Sequence, residues 1–183
     1  DHADVAVVTN VAADHLGEYG INSVPELLPV KFIVRRVLDE EAPLVLNADD
    51  EGIVAFAETL GNRIVWFSLN PENPQLKKTL AKGGMACWLD EGWLVMAEGN
   101  NRQRIVPVTE IPATVNGMAR HNIGNALAAA CVAATLGIGA AAIRKGLADF
   151  RGDEYDNPGR GNWFEHQLDD GTVQELDEPQ PPA

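Results

Sequence analysis

Apolar residues follow two different patterns along this chain, and each pattern predicts a different kind of element. Residues 4–9 form a short run rich in Val, which is typical of a strand buried on both faces of a parallel sheet. Similar runs at 43–47 and 63–68 alternate with segments whose apolar residues recur at helical spacing. Alternating strands and helices indicate right-handed βαβ units. We therefore expect an α/β fold, with a mostly parallel sheet flanked by helices.

The pattern changes after residue 69. A short helix is predicted at 75–82, and short strands of alternating polarity follow it at 85–89, 93–97 and 103–108. Asp-Glu-Gly and Gly-Asn-Asn turns separate these strands, which indicates a meander. We expect a small antiparallel β insert over residues 70–115, with one more strand over its last part, 109–115.

Two helices are predicted next. The first, over 119–136, is rich in Ala and apolar on nearly every side, so we expect it to be buried and to end at Gly137. The second covers 140–150. Residues 1–150 are then expected to form part of one domain.

The end of the chain has a different composition. Residues 151–160 are polar and contain Gly and Pro, so we interpret them as a linker. Residues 161–183 are expected to be either the start of a C-terminal domain, with a strand at 162–166, or a disordered acidic tail from 169 onwards. The chain begins without Met and almost inside a strand, so we interpret it as a fragment of a longer protein.

Composition excludes several classes of partner. The formal net charge of −13 argues against nucleic acid and against an anionic membrane surface. No apolar run has the length of a membrane span, and no signal peptide is visible. Cys87 and Cys131 lie in apolar segments and are interpreted as buried free thiols of a cytoplasmic protein. A homo-oligomer is compatible with this composition.

Asp14 and His15 follow the first predicted strand, at the end where open α/β sheets bind their ligands. Gly17 and Gly20 then allow a sharp turn. A neutral imidazole can bind a divalent cation, and the neighbouring carboxylate can orient it. The alternative is that both are ordinary loop residues.

Lys31 is the second candidate. A capping-box pattern, Ser23 to Glu26, opens a helix in which Lys31 is predicted to share the buried face with Leu27 and Leu28. Pro29 should disturb the first turns, so the regular helix is expected to begin near it. Burial favours the neutral amine, which can add carbon dioxide and become a carbamate ligand for Mg²⁺. The alternative is a lysine whose stem packs while its ammonium reaches water.

The start of the Ala-rich helix carries a third group, His121, Asn122 and Asn125, whose spacing places them together near one helix end. An Asn amide can pair with the edge of adenine, although local hydrogen bonds and capping are the simpler interpretation. Arg160 could bind a phosphate or a ribose, or be a surface residue. Asp49 and Asp50 are interpreted as helix caps, with a role near a metal as the alternative.

Other motifs are absent from the 183 residues. There is no G-x-x-x-x-G-K-[ST] phosphate loop, no G-x-G-x-x-G, no zinc-type Cys/His spacing and no G-x-S-x-G.

Taken together, these segments resemble the Mur ligase family, over roughly residues 4–165. The resemblance rests on Thr9-Asn10-Val11 with Asp14-His15-Leu16-Gly17, Lys31, Asn47-Ala48-Asp49-Asp50, His121-Asn122 with Asn125-Ala126-Leu127-Ala128-Ala129, and Gly159-Arg160. The branch formed by the cyanophycin synthetases is the most similar, on the segments 4–11, 68–74, 81–84 and 157–160.

The resemblance implies part of the central ATPase domain of an ATP-dependent amide ligase. In such a ligase a substrate carboxylate takes the γ-phosphoryl group of ATP, and an amine then attacks the acyl phosphate. The implied cofactors are ATP and Mg²⁺. The implied partners are a small-molecule or peptide substrate with a free carboxylate and an amino acid, which in the cyanophycin branch are an Asp-backbone peptide and arginine.

The resemblance also assigns roles by position. His15, with Asp14 beside it, would ligate Mg²⁺, and Lys31 would be the lysine that many members carbamylate. Asn122, Asn125 and His121 would lie near the adenine, and Arg160 near the ribose and phosphates. Because the family's phosphate loop is not in these residues, the chain alone is expected to be inactive.

Three alternatives stay open. The chain could belong to a peptidoglycan-type Mur ligase or another amino-acid ligase. It could be a non-catalytic remnant or assembly module with the same fold. It could also be a metal hydrolase built on Asp14, His15, Asp49 and Asp50.

Overall fold

Six strands form one continuous sheet with the spatial order β1-β2-β3-β4-β5-β6. The computed structural model describes residues 2–13, 17, 20–39 and 41–151, and adds the backbone of two strands, 163–167 and 173–177. The strands of the sheet are β1 (Ala6–Val8), β2 (Leu44–Asn47), β3 (Ile64–Ser68), β4 (Met85–Asp90), β5 (Trp93–Glu98) and β6 (Asn101–Pro107). The remaining pair, β7 (Trp163–Gln167) and β8 (Val173–Asp177), is antiparallel.

The first four strands are parallel, and β5 and β6 continue the sheet as antiparallel strands. The predicted parallel sheet with an antiparallel extension is therefore confirmed. One detail differs, since β4 pairs in parallel with β3 as well as antiparallel with β5. The helix before β4 accordingly completes a third βαβ unit, because a parallel neighbour requires a crossover connection.

Helices cover both faces of the sheet. α1 (Val24–Lys31), α2 (Glu51–Ala57) and α3 (Pro74–Ala81) are the crossovers between successive parallel strands. They pack on one face because every crossover has the same hand and every new strand is added on the same side. The other face is covered by α4 (Arg120–Thr135) and α5 (Ala140–Asp149).

The strands read as continuous apolar runs because neighbouring side chains enter two different cores. In β3, Val65 and Phe67 pack toward α4, whereas Trp66 packs toward the crossover helices. On that second side, Phe32 is 1% exposed and its ring centroid lies 4.6 Å from that of Phe56. Burying a side chain of this size stabilises the fold by about 1.5–3 kcal/mol.

Cys87 on β4 and Cys131 on α4 are both free and buried, as predicted. Burial raises the pKa of the Cys131 thiol well above its ordinary value, and the neighbouring Cys87 adds to this effect. The thiol is therefore held in its neutral, unreactive form. None of the helices in the described part of the chain combines the length and the apolar composition that a membrane span requires.

The strand predicted over 109–115 is wrong. Two 3₁₀ turns, Val108–Glu110 and Pro112–Thr114, occupy this stretch. Pro112 has no N–H for a strand ladder, and the buried Thr114 hydroxyl lies 2.6 Å from the Val108 carbonyl oxygen, which favours the tight turns.

Near the acidic end of the chain the structure describes two strands, β7 and β8. The strand predicted at 162–166 is confirmed as β7. Its partner β8 lies in the stretch from residue 169 onwards that was expected to be disordered, so the backbone there includes a strand that the composition did not predict.

Val115 is strained. Its φ is +51°, and it is followed by Asn116 at +54° and Gly117 at +82°. A β-branched side chain is a poor occupant of this left-handed region, whereas Asn and Gly tolerate it.

Replacing Val115 with Gly should stabilise the protein by about 1 kcal/mol, because the lost strain exceeds the entropic cost of glycine. The matched change Asn116→Gly should alter stability by only a few tenths of a kcal/mol. Urea unfolding of both variants measures the difference. Equal stabilities, or a less stable Val115→Gly, would show that the left-handed valine carries no strain.

Candidate functional site

The carboxyl ends of β1, β2 and β3 lie side by side, because the three strands are parallel neighbours. Polar side chains are concentrated there, at Asn47, Asp49, Asp50 and Ser68. Ligands of open α/β sheets bind at this edge. The hydrogen bonds of these side chains therefore matter, because they hold the loops that follow the strands.

Asn47 is the last residue of β2 and holds the chain as it leaves β1. Its Nδ2 donates to the Thr9 carbonyl oxygen at 2.9 Å, and its Oδ1 accepts from the Asp49 N–H at 2.9 Å. One amide therefore connects the exits of two neighbouring strands.

Asp50 is the N-cap of α2, as predicted. Its Oδ1 accepts from the Ile53 N–H at 3.0 Å. Its Oδ2 accepts from the N–H of Val11 at 2.9 Å, across 39 positions of sequence. The same carboxylate thus caps a helix and holds the loop after β1.

Asp49 holds the exit of β3 instead. Its carboxylate accepts from the Ser68 hydroxyl at 2.5 Å, from the Leu69 N–H at 2.6 Å and from Asn73 Nδ2 at 3.2 Å. Ser68 and Asn73 are both buried, so these bonds satisfy groups that water does not reach. Asp49 therefore connects the loop after β2 to the loop after β3, and it is not the helix cap that the sequence predicted.

The described residues contain no cluster of three or more His, Cys, Asp or Glu side chains that could hold a metal ion. Asp49 and Asp50 use their oxygens on protein N–H and O–H groups instead. Asp14 and His15, the predicted metal-binding pair, lie outside the described residues. The chain approaches them from Val11, which is buried, and continues through Gly17 and Gly20, whose φ values of +94° and +79° confirm the predicted turns.

The prediction that Lys31 shares the buried face of its helix is wrong. Lys31 is exposed, while Leu27, Leu28 and Phe32 are buried. The α-helix runs through Pro29 and ends at Lys31, after which residues 32–37 continue as a 3₁₀ helix. The buried stripe therefore passes from Leu28 to Phe32, and the argument for a neutral amine from burial is lost.

The predicted capping box is only partly formed. Ser23 is the N-cap, but its side chain makes no capping hydrogen bond. Glu26 accepts from the Asn22 N–H at 2.8 Å, one residue before the position that the motif predicts.

At the start of α4, two of the three predicted nucleotide-binding residues, Asn122 and Asn125, line one cavity. Asn122 donates from Nδ2 to the Ala113 carbonyl at 2.7 Å, and Asn125 donates to Asn122 Oδ1 across 3.4 Å. Neither caps the helix, whose N-cap, Ala119, has no side-chain partner. His121 is exposed on the first turn.

The cavity has a volume of about 550 Å³ and lies between α4 and α5. Its walls are apolar, and the two asparagines add amide groups to them, with Ala126, Ala129 and Phe150 among the other lining residues. A flat, largely apolar ring with hydrogen-bonding edges fits this chemistry. Arg160, the remaining nucleotide-binding candidate, lies outside the described residues.

The roles of Asn47 and of the Val11 backbone were missed by the sequence reasoning. A polar residue closing an otherwise apolar strand, as Asn47 does, was the available signal. The contact from Asp50 to Val11 carries no local signal, because it depends on tertiary structure.

The Mur ligase middle domain matches residues 2–133 of this chain. A cyanophycin synthetase from Synechocystis sp. is 38% identical over 164 residues, which are 90% of this chain and 19% of that protein. A UDP-N-acetylmuramoylalanine–D-glutamate ligase from Acidobacterium capsulatum is 32% identical over 82% of this chain and 30% of its own length.

The fold is similar to solved structures as well. A crystal structure of MurF from Acinetobacter baumannii superposes with a TM-score of 0.61 at 19% identity, covering 90% of this chain and 32% of that one. The chain thus spans only a fifth to a third of the length of these relatives.

Asp49→Ala should destabilise the protein by about 2 kcal/mol, because Ser68 and Asn73 lose a charged partner in a buried setting. Glu58→Ala, an exposed carboxylate at the end of α2, should stay within about 0.5 kcal/mol of the wild type. Chemical unfolding measures both. A small effect of Asp49→Ala would mean that water replaces its hydrogen bonds at little cost.

Proposed function

This chain belongs to the Mur ligase family, and from that premise we propose that it supplies part of the ATP site of an amide ligase. The proposal rests mainly on the match of the family's middle domain to residues 2–133. The cavity at the start of α4, with its two asparagines, supports the nucleotide end of the site.

The reaction we propose has two steps. An oxygen of the substrate carboxylate attacks the γ-phosphorus of ATP, and ADP leaves. The nitrogen of an amine then attacks the carbonyl carbon of the acyl phosphate, loses a proton and expels phosphate. Catalysis of this kind depends on positioning and on neutralising charge.

At the nucleotide end, we assign the adenine to the α4–α5 cavity. Asn122 is already committed to the Ala113 carbonyl, so it fixes the wall of the cavity. Asn125 is exposed, and within the described part of the chain its amide bonds to Asn122 alone, across 3.4 Å, so it is available to the edge of a base. His121 would flank this end, and Arg160 would bind the ribose or phosphates.

At the phosphate end, His15 would be a ligand of Mg²⁺, with Asp14 orienting its imidazole. The described residues do not form a metal site by themselves, so the nucleotide phosphates and a carbamylated Lys31 would complete the ligand set. When bound, Mg²⁺ would neutralise charge on the transferred phosphoryl group. Since Lys31 is exposed, its assignment rests on the resemblance alone.

The substrate class we favour follows the cyanophycin synthetases: a peptide with free carboxylates and an amino acid such as arginine. A peptidoglycan-type ligase is the alternative within the family, since a UDP-N-acetylmuramoylalanine–D-glutamate ligase is 32% identical over 82% of this chain. Because the 183 residues contain no G-x-x-x-x-G-K-[ST] motif, they should not hydrolyse ATP alone.

A non-catalytic module with the same fold is the competing function. Nucleotide binding by the chain separates the two, since a module that has lost the chemistry has no reason to retain an adenine site.

Asn125→Ala should weaken the binding of ADP by about tenfold, the cost of one hydrogen bond to the base. Asn125 is exposed, so the fold should be unaffected. The matched control is Asn101→Ala, an exposed asparagine on β6. Titration calorimetry with ADP and Mg²⁺ measures the affinities. Equal affinity in all three proteins rejects the adenine assignment, and no binding by the wild type favours the non-catalytic module.

Lys31 should form a carbamate that Lys31→Arg cannot form. In ¹³C-bicarbonate, the wild type and the exposed-lysine control Lys82→Arg should show a carbamate carbon resonance, and Lys31→Arg should lack it. NMR measures this directly. A resonance that persists in Lys31→Arg, or is absent from the wild type, contradicts the assignment of Lys31.

A further inference from the structure

The backbone leaving β1 is held at two consecutive points by side chains from the end of β2. Asn47 binds the carbonyl of Thr9 from one side, and Asp50 binds the N–H of Val11. Both bonds are 2.9 Å long. Together they restrain the peptide groups on either side of Asn10.

We infer that Asn47 and Asp50 are positioning residues, which set the direction in which the chain leaves β1 toward Asp14 and His15. They act through the backbone and touch no reacting group. This inference rests on the proposed function, because the direction of the loop matters for chemistry only if His15 binds the metal of the ATP site.

The geometry of Asn47 supports a specific role. Its acceptor must face the Asp49 N–H and its donor must face the Thr9 carbonyl, so only one orientation of the amide satisfies both. An aspartate at this position would place a second oxygen against the carbonyl. The side chain therefore needs to be an amide, not merely polar.

The geometry of Asp50 goes beyond helix capping. A cap needs one oxygen for the N–H of Ile53, and Ser, Thr or Asn would serve. Only a carboxylate offers a second acceptor for Val11, and Val11 is buried, so water does not replace that bond readily. Among the described residues, the Asp49 carboxylate bonds to Ser68, Leu69 and Asn73 and not to this loop.

Two variants break the restraint, and one matched variant leaves it intact. Asp50→Ser keeps a good N-cap but loses the second acceptor. Asn47→Asp keeps the acceptor for Asp49 but loses the donor to Thr9. Asp49→Asn changes the neighbouring carboxylate and should leave the β1 loop alone. If Asp50→Ser does not fold, Asn47→Asp carries the test.

The first readout is structural. Amide hydrogen exchange of Val11 should be about tenfold faster in Asp50→Ser than in the wild type. Exchange should be unchanged in Asp49→Asn, after normalisation to Val65 in the centre of the sheet. The second readout is the concentration of Mn²⁺ that broadens the His15 imidazole resonances in the presence of ATP.

If Asn47 and Asp50 position the loop, Asp50→Ser and Asn47→Asp should both raise the Mn²⁺ concentration that half-broadens the His15 resonances by about tenfold. Asp49→Asn should leave this concentration unchanged. A purely structural role would change Val11 exchange and leave that Mn²⁺ concentration unaltered, which overturns the inference. Unchanged Val11 exchange overturns it too.

The wild type alone tests the proposed function. If Mn²⁺ with ATP does not broaden the His15 resonances of the wild type, the assignment of His15 as a metal ligand fails. The restraint of the loop by Asn47 and Asp50 is then tested separately, by ¹⁵N relaxation at Ala12 and Ala13. Increased motion in Asp50→Ser supports the restraint, and wild-type order in that variant rejects it.

Discussion

The Asp50 carboxylate is the contact on which the carboxyl-terminal edge of the parallel strands depends. It connects the start of α2 to the loop after β1, two segments that are far apart in sequence. Asn47 adds a second connection between the same strands, and Asp49 extends the network to the exit of β3. Parallel strands place their carboxyl ends together, and these side-chain bonds hold the loops that follow the strands.

The rest of the fold fixes the positions of the strands that end at this edge. Three crossovers of one hand stack β1 to β4 in sequence order, and helices bury both faces. Neighbouring residues of β3 enter opposite cores, so a shift of one residue would exchange the two sets. The register of the strands, and with it the position of Asn47 against Thr9, is therefore fixed by packing.

The sequence predicted this framework well, because buried parallel strands are continuous apolar runs and Asp50 occupies a standard capping position. The prediction for Lys31 was wrong because the buried stripe of α1 continues from Leu28 to Phe32, which leaves Lys31, the last residue of the α-helix, exposed. The 3₁₀ helix that follows covers Phe32–Val37. The turns before α4 were missed because they depend on the buried Thr114 hydroxyl and on a left-handed valine. Asp14, His15 and Arg160 remain predictions.

If this chain contributes part of an ATP site, the adenine should lie against the start of α4. Covalent labelling with a photoreactive ATP analogue, followed by peptide mapping, measures this directly. The label should fall on the peptide that contains the start of α4, and excess ATP should prevent the labelling. Labelling that is spread along the chain, or that ATP does not prevent, would rule out an adenine site at α4.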